Sequence, residues 1–181
     1  SELTSVSIPN TVGSIDQSAF QDCVGLTSIS IPSLVESIGQ SAFQDCVGLT
    51  SITLGSGLTT IGGSVFKGCN NGSLTTITIP SLVNSIGANA FENCTGLTTI
   101  IVKTANDIYS QLVASMQQST ITDLTFDYSG TIPDNVCNVS VNIYWTNLIT
   151  VVIKSGITTI GANAFENCSS ITSITIPDTV N

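Results

Sequence analysis

Cysteines are the side chains of this sequence that offer the most chemistry. Six occur in 181 residues, and five of them recur at the same place in a repeated pattern: Cys23, Cys46, Cys69, Cys94 and Cys168. Six cysteines are compatible with a disulfide framework. In a stack of repeats, however, equivalent residues lie about 4.8 Å apart with parallel Cα–Cβ bonds, whereas a disulfide needs bonds that converge. We therefore predict buried free thiols that behave as small apolar side chains.

Other reactive groups are too sparse to build a catalytic or metal site. The sequence has no histidine and no arginine, so a serine or cysteine nucleophile lacks its usual base, and no Cys-x-x-Cys is present to bind zinc. Asp123, Asp127 and Asp134 are close enough in sequence to be weighed as cation ligands, but they lack the spacing of a calcium loop. We predict no enzymatic activity, no metal and no cofactor.

A repeat that runs through the whole chain must position these side chains. The pattern L-x-x-I-x-I-P-x-x-V-x-x-I-G-x-x-A-F-x-x-C begins at residues 3, 26, 49, 74, 97, 121, 148 and 171. Its opening segment predicts a short strand, which the proline ends. The glycine indicates a second turn with positive φ, and the Ala-Phe pair and the cysteine are predicted to point inward from a tight helical turn.

One such unit cannot bury enough apolar surface to fold alone, so its stability must come from stacking on its neighbours. Residues 1–181 are therefore predicted to form a single repeat solenoid, mostly β. Because neither end carries an evident cap, we expect the array to be a fragment of a longer one.

The repeat is irregular over residues 97–147. Ile108, Leu112 and Met116 recur every four residues after Thr104, a candidate N-cap, which predicts a helix at about 105–118. Alternating apolar residues at 139, 141 and 143 suggest one extra strand. Aromatic side chains concentrate here, and since aromatic residues are favoured binding anchors we predict a local recognition site. Its candidates are Tyr109, Phe126, Tyr128, Tyr144 and Trp145. The alternative is that these rings fill the irregular interior.

The repeat resembles the BspA-like leucine-rich repeat family, whose 23-residue unit has this L-x-x-I-x-I-P…V-x-x-I-G-x-x-A-F-x-x-C form. The resemblance implies a right-handed solenoid with a parallel sheet on its concave side and irregular or short helical segments on its convex side. It also implies a secreted or surface-exposed protein, of the kind associated with adhesion and host interaction, and it brings no catalytic residues.

The predicted sheet presents a regular grid of hydroxyl groups between its inward aliphatic residues. Its representative positions are Thr50, Thr53, Thr76 and Thr78. Threonine ladders pack well on parallel strands, which is a purely structural explanation. The functional alternative is a platform for a partner protein, a glycan or a periodic solid such as ice.

Charge narrows the range of partners. The three lysines and twelve acidic residues give a net charge of −9, which disfavours nucleic acid and an anionic membrane surface. No run of residues is apolar enough to insert into a membrane. We predict a non-enzymatic interaction or adhesion module, extracellular or on the cell surface, that binds a protein, a glycoprotein or another copy of itself. The alternative function is a structural spacer or a subunit of an extracellular assembly.

Four sites have the form N-x-[ST] that can accept an N-linked glycan. They begin at Asn71, Asn93, Asn138 and Asn167, and they matter only in a eukaryotic secretory route.

Overall fold

The chain winds into a parallel-strand β-solenoid, as the repeat predicts, with about seven turns where the sequence has eight repeat starts. The structure is a computed structural model that describes residues 3–70, 72–116, 120–137 and 145–181. In chain order the elements are β1 (Ser14–Ile15), β2 (Ser28–Ser30), β3 (Ser37–Ile38), β4 (Ser51–Thr53), β5 (Thr60–Ile61), β6 (Thr76–Ile79), β7 (Ser85–Ile86), β8 (Thr99–Val102), α1 (Tyr109–Met116), β9 (Asp123–Phe126), β10 (Gly130–Ile132), β11 (Thr150–Ile153), β12 (Ile157–Ile160) and β13 (Ser173–Thr175).

The opening segment of each repeat forms the front sheet, which corresponds to the parallel sheet predicted for the concave side. It consists of the pair β2–β4 and the five strands β13–β11–β9–β8–β6. Equivalent residues pair across turns, for example Ile29 with Ile52 and Ile77 with Ile100, so each apolar residue stacks on its counterpart. Because side chains alternate along a strand, these isoleucines are buried while the residues between them face outward.

A back sheet, which the sequence analysis did not predict, is formed by the Ser-Ile or Thr-Ile segment just before the repeat's glycine. It comprises β1–β3–β5–β7 and the pair β10–β12, again all parallel. Four of its strands are only two residues long, and they exist because each turn bonds to the next.

A glycine follows four of the six back strands, β3, β5, β7 and β12, and it is required for a reason other than the positive φ that was predicted. Gly87, for instance, does not lie in the left-handed region, but a Cβ placed on it would come within 2.3 Å of the Gly63 nitrogen and 2.7 Å of the Gly62 carbonyl carbon. Both are backbone atoms of the preceding turn, which cannot move aside like a flexible side chain. The glycine therefore permits two turns to approach closely.

We expect Gly87→Ala to lower the free energy of unfolding by about 1–3 kcal/mol, because the added methyl group overpacks a backbone contact. Gly13→Ala is the matched control, since nothing lies within 4 Å of a Cβ at Gly13. Its effect should be close to zero or slightly stabilising. Urea unfolding measures both variants, and equal destabilisation would contradict the close-approach explanation.

The segment carrying the Ala-Phe pair is not the tight helical turn that was predicted. Ser41 and Asp45 both have a φ of 57°, which no right-handed helix contains. The N–H groups of Ser41, Phe43 and Asp45 donate instead to carbonyl groups of the next turn, at 2.9, 2.9 and 2.8 Å. The segment is thus a third side of the coil, bonded from turn to turn.

The predicted helix is present but shorter, with residues 109–116 helical and 105–108 outside it. Thr104 is fully buried and does not cap the helix: its hydroxyl accepts from the Asn106 N–H (3.1 Å) and donates to the Val83 carbonyl (3.0 Å). Helix α1 takes the place of a back strand, because Gln111 Oε1 accepts the Ile86 N–H of β7 at 2.8 Å. Residues 117–118 of the predicted helix, and the extra strand suggested at 139–143, lie outside the described residues.

The interior is built from ladders of identical side chains. The rings of Phe20, Phe43, Phe66 and Phe91 stack nearly parallel, with centroid separations of 5.1, 5.6 and 5.7 Å. Phe165 belongs to the same position of the repeat but meets Phe126 edge-on, at 6.0 Å and 74°. The regular ladder therefore ends where the irregular turns begin.

Candidate interaction surface

The aromatic candidates lie mainly in the interior of the irregular turns. Tyr109, Phe126 and Trp145 are 3%, 0% and 4% exposed, and Tyr128 is half-buried. The Tyr109 hydroxyl lies 3.1 Å from that of Tyr128, which in turn donates to the Thr131 carbonyl at 3.3 Å. Burial raises the pKa of both tyrosines, so each hydroxyl keeps its proton to a higher pH than an exposed tyrosine does. Tyr144 lies outside the described residues.

The threonine candidates lie on the front sheet as expected. Thr50, Thr53 and Thr76 are exposed and Thr78 is half-exposed. Thr50 also has a structural role, because its hydroxyl donates to the Thr27 carbonyl of the preceding turn at 3.0 Å. The Thr50 hydroxyl therefore links two neighbouring turns although its side chain is exposed to solvent.

A different group of front-sheet residues departs from the hydroxyl grid and was not predicted from the sequence. We define the central patch as the outward residues of β8, β9 and β11 and the residue after each strand. Strand pairing arranges the patch in three rows of three. The rows are Thr99, Asp123 and Thr150; Ile101, Thr125 and Val152; and Lys103, Asp127 and Lys154.

The middle and last rows of the central patch differ from the same rows in the regular turns. Where Ile101 and Val152 stand, the neighbouring turns carry a serine or a threonine: Ser30, Thr53, Thr78 and Thr175. Where the three charged residues of the last row stand, the neighbouring turns carry Pro32, Gly55, Pro80 and Pro177. The charged residues occur in three consecutive turns and the aliphatic residues in the first and third of these, all on the same face.

Charges within the central patch are only partly compensated. Lys103 Nζ lies 3.6 Å from Asp127 Oδ2. Asp123 Oδ2 accepts a hydrogen bond from the Thr122 hydroxyl at 2.7 Å, and among the described residues no lysine pairs with it. Lys154 is exposed and forms no ion pair within that same part of the chain. One carboxylate and one ammonium group therefore face solvent from opposite rows.

The three aspartates weighed as cation ligands do not form a common site. Asp127 contacts Lys103, while Asp134 Oδ1 accepts the Ala162 N–H at 2.7 Å on the back of the coil. Within the described ranges, no group of three or more His, Cys, Asp or Glu side chains is placed to hold a metal ion.

Comparison with known proteins identifies the repeat. A family model described as a BspA type leucine rich repeat region, in six copies, matches residues 1–120 and 132–181. The chain belongs to the BspA-type leucine-rich repeat family. Leucine-rich repeat families of this kind consist of non-enzymatic repeat proteins, typically interaction or surface proteins.

Solved structures of bacterial leucine-rich repeat proteins share the fold. The crystal structure of the T. pallidum leucine-rich repeat protein TpLRR matches with 25% identity and a TM-score of 0.57, covering 93% of this chain and 73% of that protein. A leucine-rich repeat protein from Eubacterium ventriosum matches with 27% identity and a TM-score of 0.55, over 87% of this chain and 41% of that one. No curated protein matches the chain. Within the described residues, the structure contains no helix with the length and apolarity needed to span a membrane.

Four cysteines of this BspA-type array are free and buried, as predicted: Cys23, Cys46, Cys69 and Cys94. Each of the later three points back toward the preceding turn. The thiols of Cys46 and Cys94 donate to the carbonyl oxygens of Phe20 and Phe66, both at 3.1 Å. The repeat thus places the sulfur of one turn beside the phenylalanine position of the turn before.

The prediction that all six cysteines are free is wrong, because Cys137 and Cys168 form a disulfide with their Cα atoms 6.0 Å apart. Cys137 does not belong to the cysteine ladder: its N–H donates to the Ala164 carbonyl at 2.8 Å, just as the Phe43 N–H donates to Val65. Cys137 therefore occupies the phenylalanine position of its turn. Since a ladder cysteine points at that position in the preceding turn, the sulfur atoms of Cys168 and Cys137 meet.

Burial of the free thiols predicts a pH dependence of stability. Burial raises the pKa of the Cys46 thiol from about 9 to about 11. An unfolded chain then loses this proton at lower pH than the folded chain does, so the free energy of unfolding should fall between pH 9 and pH 11. We expect a loss on the order of 2 kcal/mol at the upper limit. Urea unfolding across this range measures it.

Cys46→Ser is the control, because its hydroxyl can still donate to the Phe20 carbonyl but does not titrate in this range. Tyrosines contribute equally to the wild type and the variant, so the difference between the two pH profiles isolates the thiol. Parallel profiles would contradict the prediction.

Proposed function

We propose that this leucine-rich repeat array is a non-enzymatic interaction module of a secreted or cell-surface protein, and that it binds a protein or glycoprotein partner through the front sheet. Membership of the BspA-type family supports an interaction or surface protein in general. The central patch supports the specific surface, because three consecutive turns carry a charged residue after the strand, and two of them also carry an aliphatic residue at the hydroxyl position of the same face.

Two further observations support this proposal. The sequence contains no histidine that could serve as a general base, which favours binding over catalysis. The Cys137–Cys168 disulfide favours an oxidising location, since disulfides persist in secreted and surface proteins and are rare in reducing compartments. An adhesive role at the cell surface would use the same face.

Capture of surface and matrix proteins by the immobilised array tests the proposal. The matched control is the double variant Ile101→Thr/Val152→Thr, which restores hydroxyl groups to the middle row without touching the core. We expect proteins that the wild-type array retains and the double variant does not. Equal retention by both would remove the central patch from the proposed function, and no retention above background by either would overturn the interaction role.

A second candidate function is a spacer or a subunit of an extracellular assembly. Only 8% of the residues are charged, which favours packing of copies of the chain against one another. Light scattering over a range of concentrations separates the two functions: concentration-dependent growth supports assembly, and a constant monomer mass contradicts it.

A further inference from the structure

We infer that the central patch recognises an extended segment of a partner protein that carries a Lys or Arg and, four residues away on the same side, an Asp or Glu. This inference rests on the proposed function, and it specifies the chemistry of the partner. It is carried by the order of the three rows of the patch: a carboxylate in the first, aliphatic side chains in the middle and ammonium groups in the last.

The first row provides an anion that the protein itself does not neutralise. Asp123 lies between Thr99 and Thr150 on the neighbouring strands, and its carboxylate accepts a hydrogen bond from the Thr122 hydroxyl at 2.7 Å but forms no ion pair with any described lysine. Ile101 and Val152 lie diagonally next to it, so an incoming Lys or Arg can rest its aliphatic stem on them while its charged end meets the carboxylate. A cation of the partner fits this position better than any neutral group does.

The last row provides the opposite charge. Lys103, Asp127 and Lys154 directly follow the three strands, and the N–H groups of Asp127 and Lys154 donate to the Val102 and Phe126 carbonyls at 2.8 and 3.0 Å. Asp127 compensates one of the two lysines. One net positive charge remains, in a chain whose net charge is −9. An acidic side chain of the partner therefore fits here.

The distance between the two rows specifies the spacing in the partner. Asp123 and Asp127 are four residues apart along one strand, which corresponds to roughly 13 Å at 3.3 Å per residue. In an extended segment lying along the strands, residues i, i+2 and i+4 face the same side. The middle residue of such a segment meets Ile101, Thr125 and Val152, and a β-branched aliphatic residue matches their surface. The side chains of this row are already half-buried on the sheet, so binding a partner there costs little side-chain conformational entropy.

Other occupants match the central patch less well. A nucleic acid would be repelled by the net charge and by Asp123. A glycan would normally stack on an aromatic ring, and none of the nine residues of the patch is aromatic.

The inference is tested by an NMR titration of the array that follows the methyl signals of Ile101 and Val152. The probe is the peptide acetyl-Thr-Lys-Thr-Val-Thr-Glu-Thr-amide, and the matched peptide has Gln in place of both Lys and Glu. We expect shifts of both methyl groups with the charged peptide and roughly fivefold weaker binding of the uncharged one. Asp123→Asn and Lys154→Gln should each weaken binding of the charged peptide by a similar factor, whereas Asp178→Asn, an exposed charge change on the last turn, should not.

Three results would overturn the inference: no methyl shift at millimolar peptide, equal affinity for the two peptides, or equal weakening by Asp178→Asn. The proposed function can fail separately, because a protein captured by the wild-type array and retained by Asp123→Asn and Lys154→Gln supports an interaction module while contradicting this recognition mode. All variants replace side chains on the surface, and unchanged amide spectra outside the patch verify that each one folds.

Discussion

Phe66→Ala is expected to lower the free energy of unfolding by about 3–5 kcal/mol, the usual cost of removing a buried phenylalanine ring. Phe66 is fully buried, and its ring stacks on Phe43 at 5.6 Å and on Phe91 at 5.7 Å. Loss of this ring removes contacts to both neighbouring turns. Because a repeat array is stabilised by the interfaces between its turns, the defect weakens two interfaces at once.

Phe20→Ala is the matched control for this prediction. Phe20 is only partly buried and stacks on one ring, Phe43, at 5.1 Å. The same substitution should therefore cost clearly less at Phe20 than at Phe66. Urea unfolding followed by circular dichroism measures both variants. If both variants lose the same free energy of unfolding, ring stacking on two neighbouring turns does not explain the stabilising effect of Phe66.

The fold was predictable from the sequence because the same residues return in every unit. Ladders such as Ile29 with Ile52 require neighbouring turns to be in register, and only a stack of parallel strands provides this for every position. The period therefore contains information about contacts between residues that are far apart in sequence. A single copy of the repeat contains no such information.

Features that arise only between turns were missed or were given the wrong reason. Ser37 and Ile38 form a strand because the turns on either side bond to them, and two residues give no periodic signal of their own. Gly87 was recognised as special, but its local sequence does not reveal that the backbone of Gly62 and Gly63 lies against it. Both features depend on how the backbones of neighbouring turns pack together, and the residue pattern within one unit contains no signal for that packing.

The candidate surface was predicted in part. Outward threonines such as Thr50 and Thr53 follow directly from strand alternation, and the structure places them on the exposed face. Aromatic residues drew attention to the irregular turns, yet Phe126 lies in the core. A signal for the central patch was present in the aligned repeats: Ile101 stands in a hydroxyl column and Lys103 in a proline column. The central patch can therefore be recognised from the sequence when equivalent outward-facing positions of all the repeats are compared.

Reduction of the Cys137–Cys168 disulfide is the second change with a large expected effect. The bridge joins residues 31 positions apart and holds β10 and the turn after it against the turn that contains β12. Opening it gives the unfolded chain back the entropy of a closed loop of this size, worth roughly 3–4 kcal/mol. We expect a loss of this size in the free energy of unfolding when a reductant is present. Hydrogen exchange should accelerate first at 130–137 and 157–168.

The double variant Cys137→Ser/Cys168→Ser is the control, because a reductant should not change its stability. Thiol counting by alkylation and mass spectrometry tests the bridge itself. In denaturant without reductant, four cysteines should react, and after reduction all six should. If six thiols react without reduction, the disulfide is absent and all six cysteines are free, as parallel stacking predicts. Four would show that one cysteine placed in the phenylalanine column is enough to link two turns covalently.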